Sequence, residues 1–125
     1  MKTPTKHLEG QGEVDYDFVN DILFFKVKDR TYDKSIEFEN LVIDIDDKEF
    51  ITGIQIFDAS KFLQVNKESL RNIPKWTFQA IVIGENIEIR LNYETIVRNK
   101  TIEKNPIIVR ENKSHLPSSE MICEV

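Results

Sequence analysis

The stretch Leu41–Leu63, LVIDIDDKEFITGIQIFDASKFL, constrains the fold more than any other part of this chain. Leu41, Ile43 and Ile45 alternate with Val42, Asp44 and Asp46, and a second apolar-rich run goes from Phe50 to Phe57. Between them lies the polar group Asp46-Asp47-Lys48-Glu49. Successive side chains of a strand face opposite sides of a sheet, so the pattern predicts a strand, an acidic turn and a second strand. Asp58 follows, directly before Ala59-Ser60-Lys61-Phe62-Leu63. Asp is a favoured helix N-cap because its carboxylate accepts hydrogen bonds from free amides of the first turn. The second strand is therefore expected to run straight into a helix capped by Asp58. Gly53 lies inside that strand, where a glycine marks a bulge or a close approach of other atoms.

Most of the remaining chain carries the same period of two. Glu13–Phe18 reads as a strand anchored by Tyr16 and Phe18, and Val19-Asn20-Asp21 turns the chain. Ile22–Lys28 is apolar on both faces, as a strand covered on two sides would be. Ser35–Glu39 is short and alternating. Asn66 is placed to cap a second helical turn, Lys67–Ile73, which Pro74 stops. Lys75–Ile83 and Ile87–Tyr93 alternate on either side of Gly84-Glu85-Asn86, which predicts a hairpin with a loop of about three residues. Asn99–Asn105 is polar, and Pro106 opens a last short apolar run, Ile107–Arg110.

These elements predict an α+β fold dominated by antiparallel β-sheet, curled toward a sandwich or an open barrel. One or two short helices are expected near residues 59–73. Residues 1–12 read as a flexible leader, 13–112 as a single β-rich domain and 113–125 as a poorly ordered tail, because chain ends without apolar periodicity rarely pack.

Composition removes several classes of function. No run approaches the roughly 20 apolar residues of a membrane span, and the polar start MKTPTKHLEGQGE lacks the apolar centre of a secretory signal. A cytoplasmic location is expected. The formal net charge of −5 argues against general affinity for a nucleic-acid backbone and suits a basic partner. The single cysteine, Cys123, has no internal partner for a disulfide.

Two pieces of sequence stand out as a pair. One is Tyr16-Asp17 followed by Asp21-Ile22-Leu23-Phe24-Phe25; the other is Gly53-Ile54-Gln55-Ile56-Phe57-Asp58-Ala59-Ser60. Their order and separation resemble the domain-of-unknown-function family 2283, small prokaryotic proteins. That family's pattern opens with Tyr-Asp, a short gap and Asp-x-Leu-Tyr-Ile. It closes with Gly-Ile-Glu-Ile, a hydrophobic residue and Asp-Ala-Ser. Here Phe24 and Phe25 replace Tyr and Ile, and Gln55 replaces Glu, which removes a carboxylate. The resemblance spans about Glu13–Leu63. It implies antiparallel strands followed by a helix, it brings no catalytic residues, and some members adjoin toxin-like genes. The motif residues are Tyr16, Asp17, Asp21, Leu23, Gly53, Ile54, Ile56, Asp58, Ala59 and Ser60.

The densest acidic group is Asp44, Asp46, Asp47 and Glu49. A calcium loop of the EF-hand type needs oxygen ligands at fixed offsets and a glycine at its sixth position. Counted from Asp44, that position is Glu49, so the pattern fails. Asp17, Asp21, Asp44 and Asp46 remain candidates for a divalent-ion site if the first strand lies beside the acidic turn. His115 and Cys123 lack further ligands nearby, and no G-x-S-x-G elbow or glycine-rich phosphate loop occurs. Trp76 and Phe78 offer either a stacking surface or core packing beside Ile89 and Leu91.

The sequence names no catalytic residue and no cofactor. It predicts a non-enzymatic binding or assembly module that pairs with itself as a homodimer or with another protein. Nucleic acid and membrane are not expected partners. Two alternatives are a carboxylate-based metal-binding protein or hydrolase, and an acidic, antitoxin-like neutraliser of a basic protein.

Overall fold

The computed structural model describes residues 6–125. Ten strands and two short helices follow one another along the chain: β1 (Lys6–Asp17), β2 (Ile22–Val27), β3 (Tyr32–Phe38), β4 (Leu41–Asp46), β5 (Ile51–Phe57), α1 (Ala59–Leu63), α2 (Lys67–Arg71), β6 (Trp76–Ile83), β7 (Asn86–Val97), β8 (Lys100–Lys104), β9 (Ile107–Glu111) and β10 (Ser119–Glu124). The strands form one open, mostly antiparallel sheet in the order β3-β4-β5-β2-β1-β10-β6-β7-β8, with β9 on β7. The α component is confined to two helices of five residues each.

β1 joins the two halves of this sheet. Its first half, Lys6–Gln11, pairs in parallel with β10, and its second half, Gly12–Asp17, pairs antiparallel with β2. Side chains from the two halves meet in one core. Phe25 on β2 stacks on Phe78 of β6 with ring centroids 5.2 Å apart, and Trp76 packs edge-on to Phe25. Leu23, Ile43, Ile54, Ile56, Phe78 and Ile89 lie in one continuous, fully buried core. Trp76 and Phe78 are thus core residues.

The crossing at β1 depends on close backbone approach. A Cβ on Gly12 would stand 2.3 Å from the Cys123 sulfur and 2.9 Å from the Lys26 carbonyl oxygen. At Gly53 a Cβ would meet the Asp44 carboxylate at 2.8 Å and the Phe25 carbonyl at 3.3 Å. The expected irregularity lies beside Gly53: Asp44 pairs with Gly53, but Ile45 already pairs with Ile51, leaving Thr52 as the extra residue.

Several sequence expectations change. The leader expected over residues 1–12 is a strand from Lys6 onward, because β10 pairs with it; residues 1–5 lie outside the described residues. The tail expected over 113–125 contains β10, whose Met121 and Cys123 are buried between β1 and β6. β3 starts at Tyr32, three residues before the expected Ser35. The β6–β7 hairpin closes with the two residues Gly84-Glu85, since Ile83 pairs with Asn86. β7 runs on to Val97, four residues past the expected end.

Candidate functional site

The two motifs meet at one end of the sheet. Asp21 closes the β1–β2 turn in a left-handed conformation (φ 58°), which Asp tolerates better than most residues. Its Oδ1 accepts from the Tyr16 hydroxyl at 2.5 Å and from the Ser60 backbone N–H at 3.0 Å. Its Oδ2 accepts from the Ser60 hydroxyl at 2.7 Å, and its main-chain carbonyl accepts from the Ala59 N–H at 3.0 Å. Asp17 steadies the same turn, accepting from the backbone N–H and the side-chain amide of Asn20 at 3.0 and 2.9 Å. Beneath them Leu23 pairs with Ile56, and Leu23, Ile54 and Ile56 are all fully buried.

This clamp corrects the expected cap of α1. Asp58 sits in the left-handed region (φ 53°, ψ 44°) and its side chain makes no capping bond. The carboxylate that satisfies the first turn comes from Asp21, 39 residues earlier in sequence. The second helix is capped as expected, with the Asn66 side chain accepting from the Ser69 N–H at 2.8 Å. α2 then leans over the turn, with Lys67 and Arg71 on the Phe18 ring at 4.8 and 4.4 Å.

The electrostatics suit a structural clamp. Burial would push the Asp21 carboxyl up, but hydrogen bonds from Tyr16 and Ser60, helped by Lys67, outweigh it and hold it below the usual carboxylate range. Asp17 is held down by its Asn20 bonds. Burial and the Asp21 charge push the Tyr16 hydroxyl well above its ordinary value. Asp21 is thus a charged acceptor whose lone pairs are taken up by three donors.

The other acidic candidates lie elsewhere. Asp46 is fully buried in the β4–β5 turn. Its carboxylate pairs with the Arg30 guanidinium at 2.6 Å and accepts from the N–H groups of Lys48 and Phe50. Asp44 accepts from the Ser35 hydroxyl at 2.7 Å. β1 lies beside β2 rather than β4, so Asp17 and Asp21 sit by the C-terminal end of β5 and Asp46 by its start. A seven-residue strand separates the two ends by roughly 20 Å. Among the described residues, no group of three or more His, Cys, Asp or Glu side chains is arranged to hold a metal ion.

Comparison with known proteins places this clamp in a family. The model described as "Protein of unknown function (DUF2283)" matches residues 13–60, which hold the whole clamp. A Methanosarcina mazei protein named "Putative hypoxanthine phosphoribosyltransferase" is 35% identical over 111 residues, covering 89% of this chain and 90% of that one. The chain belongs to the DUF2283 family. An uncharacterized protein of Methanocaldococcus jannaschii is 26% identical over 111 residues, 88% of this chain and 96% of its own. Both likenesses are longer than the family model's match, so they reach outside residues 13–60. No solved structure matches the chain.

A second feature lies outside the residues matched by the family model. β6 begins at Trp76, opposite Tyr93, while β7 continues to Val97 with β8 on its other side. Residues 94–104 therefore project as a two-stranded arm, closed by Arg98-Asn99 with φ of 52° and 65°. Ile96 is 68% exposed, Val97 43% and Ile102 38%. An open groove of about 450 Å³ lies between this arm and Ser69, Asn72, Ile73 and Pro74 beside α2. The sequence pattern places the end of the strand at Tyr93 and shows Asn99–Asn105 only as polar. The signal was present in the β-branched run Thr95-Ile96-Val97 and its counterpart Thr101-Ile102.

Among the described residues, no helix is long and apolar enough to cross a membrane.

Proposed function

We propose that this chain is a small binding and assembly module that works through the arm of residues 94–104. The observation that carries this reading is the arm itself: Ile96, Val97 and Ile102 are exposed on a ribbon that extends past the core. Apolar side chains at an open strand edge are a template for another chain, and natural proteins usually blunt such edges. The candidate metal-site carboxylates support the reading from the other side. Asp21, Asp17 and Asp46 spend their acceptors on Tyr16, Ser60, Asn20, Arg30 and backbone amides. Self-association as a homodimer, a cytoplasmic location and a sandwich-like packing of the two sheet halves belong to the same proposal.

A photo-crosslinking amino acid at Thr101 tests it. A discrete adduct in cells that disappears in Ile96→Asp supports the reading. The absence of any adduct overturns it.

The name of the Methanosarcina mazei relative favours a second reading, transfer of a phosphoribosyl group to hypoxanthine. Such chemistry needs a place for a phosphorylated donor, usually backbone amides at a strand-to-helix turn. Here the strand-to-helix turn is the one from β5 into α1, and its Ala59 and Ser60 amides donate to Asp21. Incubation of the purified chain with hypoxanthine and a phosphoribosyl donor decides it. Nucleotide formation that survives Ile96→Asp would replace the first reading with this one.

A further inference from the structure

We propose that the free edge of β7 at residues 94–97 pairs, antiparallel, with the same edge of a second copy of this chain, about a two-fold axis at Ile96. This inference rests on reading the arm as an interaction surface, and it names the occupant.

The edge is open for a definite reason. β6 ends its pairing at Trp76–Tyr93, so beyond Tyr93 the backbone of β7 has β8 on one side only. The groove beside α2 and Pro74 lies along Glu94, Thr95 and Ile96. Addition of a strand to an exposed edge is a general mode of recognition, with backbone hydrogen bonds supplying affinity and alternate side chains supplying specificity.

The side chains select a second copy. A two-fold axis perpendicular to the sheet keeps each face on the same side, so a residue opposes one an even number of positions away. Centred on Ile96, the register sets Ile96 against the partner's Ile96 and Thr95 against the partner's Val97. It also brings Glu94 level with the partner's Arg98, the first turn residue past the end of β7, and Arg98 level with the partner's Glu94. Opposite charges abreast across strands are favourable and like charges unfavourable. None of the ion pairs among the described residues involves Glu94 or Arg98. The turn at Arg98-Asn99 bends the chain away at once, so each arm stops short of the partner's β6.

The other sheet edges do not match themselves as well. β8 centred on Ile102 would put Lys100 against the partner's Lys104. β3 centred on Ser35 would put Asp33 against the partner's Glu37. β9 turns toward β3, with Arg110 donating to the Asn40 side chain at 3.4 Å. The isologous contact at β7 also closes on itself, as most soluble oligomers do. Its short ladder puts it in the class of weak, concentration-dependent interfaces.

Sedimentation velocity across the micromolar range tests the register. The wild-type chain is expected to pass from monomer to dimer with concentration. Glu94→Arg and Arg98→Glu each create two like-charge pairs per dimer and should weaken association at least about tenfold. The double variant Glu94→Arg/Arg98→Glu restores the pairs and should recover it. Both positions are on the exposed arm, and unchanged thermal midpoints would exclude misfolding as the cause. A wild-type chain that stays monomeric, single variants that dimerise normally, or a double variant that fails to recover would each overturn the proposal. A Thr101 crosslink to a different protein would also overturn self-pairing while leaving the arm as a binding surface. Loss of every crosslink removes both.

Discussion

Asp21 and Asp58 exchange the roles that their local sequence suggests. Asp58 directly precedes α1 but its side chain makes no capping bond there, whereas the Asp21 carboxylate reaches Ser60 and Tyr16 from the β1–β2 turn. Asp21→Asn removes a charged acceptor from a part-buried network and should cost about 2 kcal/mol in urea unfolding. Asp58→Asn keeps the left-handed backbone equally accessible and should leave the urea midpoint where it is. Equal losses in the two variants would return the cap to Asp58. Tyr93 offers the opposite case. Its hydroxyl is buried and finds no hydrogen-bond partner among the described residues, and burial pushes its pKa up to about 12. An unpaired buried hydroxyl opposes folding. Tyr93→Phe should therefore stabilise the chain by about 1 kcal/mol, read as a raised thermal midpoint.

β1 is the strand on which the arrangement of the others depends. It changes neighbours between Gln11 and Gly12, and the partner on one side is the last strand of the chain. Both Gly12 and Gly53 make room for other atoms, but the atoms differ in kind. Gly53 faces chiefly the movable carboxylate of Asp44, while Gly12 faces the Lys26 carbonyl and the buried Cys123 sulfur. Gly12→Ala should cost about 3 kcal/mol, and Gly53→Ala clearly less, because backbone and packed core cannot shift as a side chain can. Chemical denaturation of the two variants side by side checks the order. The alternation from Ile87 to Tyr93 was legible in the sequence, with Ile89 buried and Arg90 exposed. Its continuation into the arm was not, because Thr95 to Val97 keep strand chemistry but lose the contrast between a dry and a wet face.

The junction of the two sheet halves also carries a pH-sensitive contact. His7 on β1 bonds both Glu9 and Glu120 of β10, and these hydrogen bonds raise its pKa above 6.5. A group whose pKa rises on folding adds stability that is complete below its unfolded value and is lost as pH climbs through the folded value. The thermal midpoint of the wild type should exceed that of His7→Gln at about pH 5.5, and the gap should close by about pH 8.5. The carboxylates of the clamp act in the other direction. Asp17 and Asp21 are held low, so their contribution is present above the ordinary carboxylate range and disappears as pH falls through their folded values.

The sequence by itself determined most of the strands between residues 13 and 93 and the last short one at Ile107–Arg110, together with the dry face of β7 and the turn between β4 and β5. Those properties are set by neighbours a few positions apart, and the period of two records them directly. It also carried the family motif, with Tyr16, Asp21 and Ser60 in place. Only the tertiary structure decided what those residues do. The cap of α1 is supplied from 39 residues away, and the strand beside β1 comes from the far end of the chain, where His7 meets Glu120 across 113 positions. Pairings at that separation follow from closure of the core as a whole. No local pattern encodes them, and so the ends of the chain read as loose when they are the seam that joins its two halves.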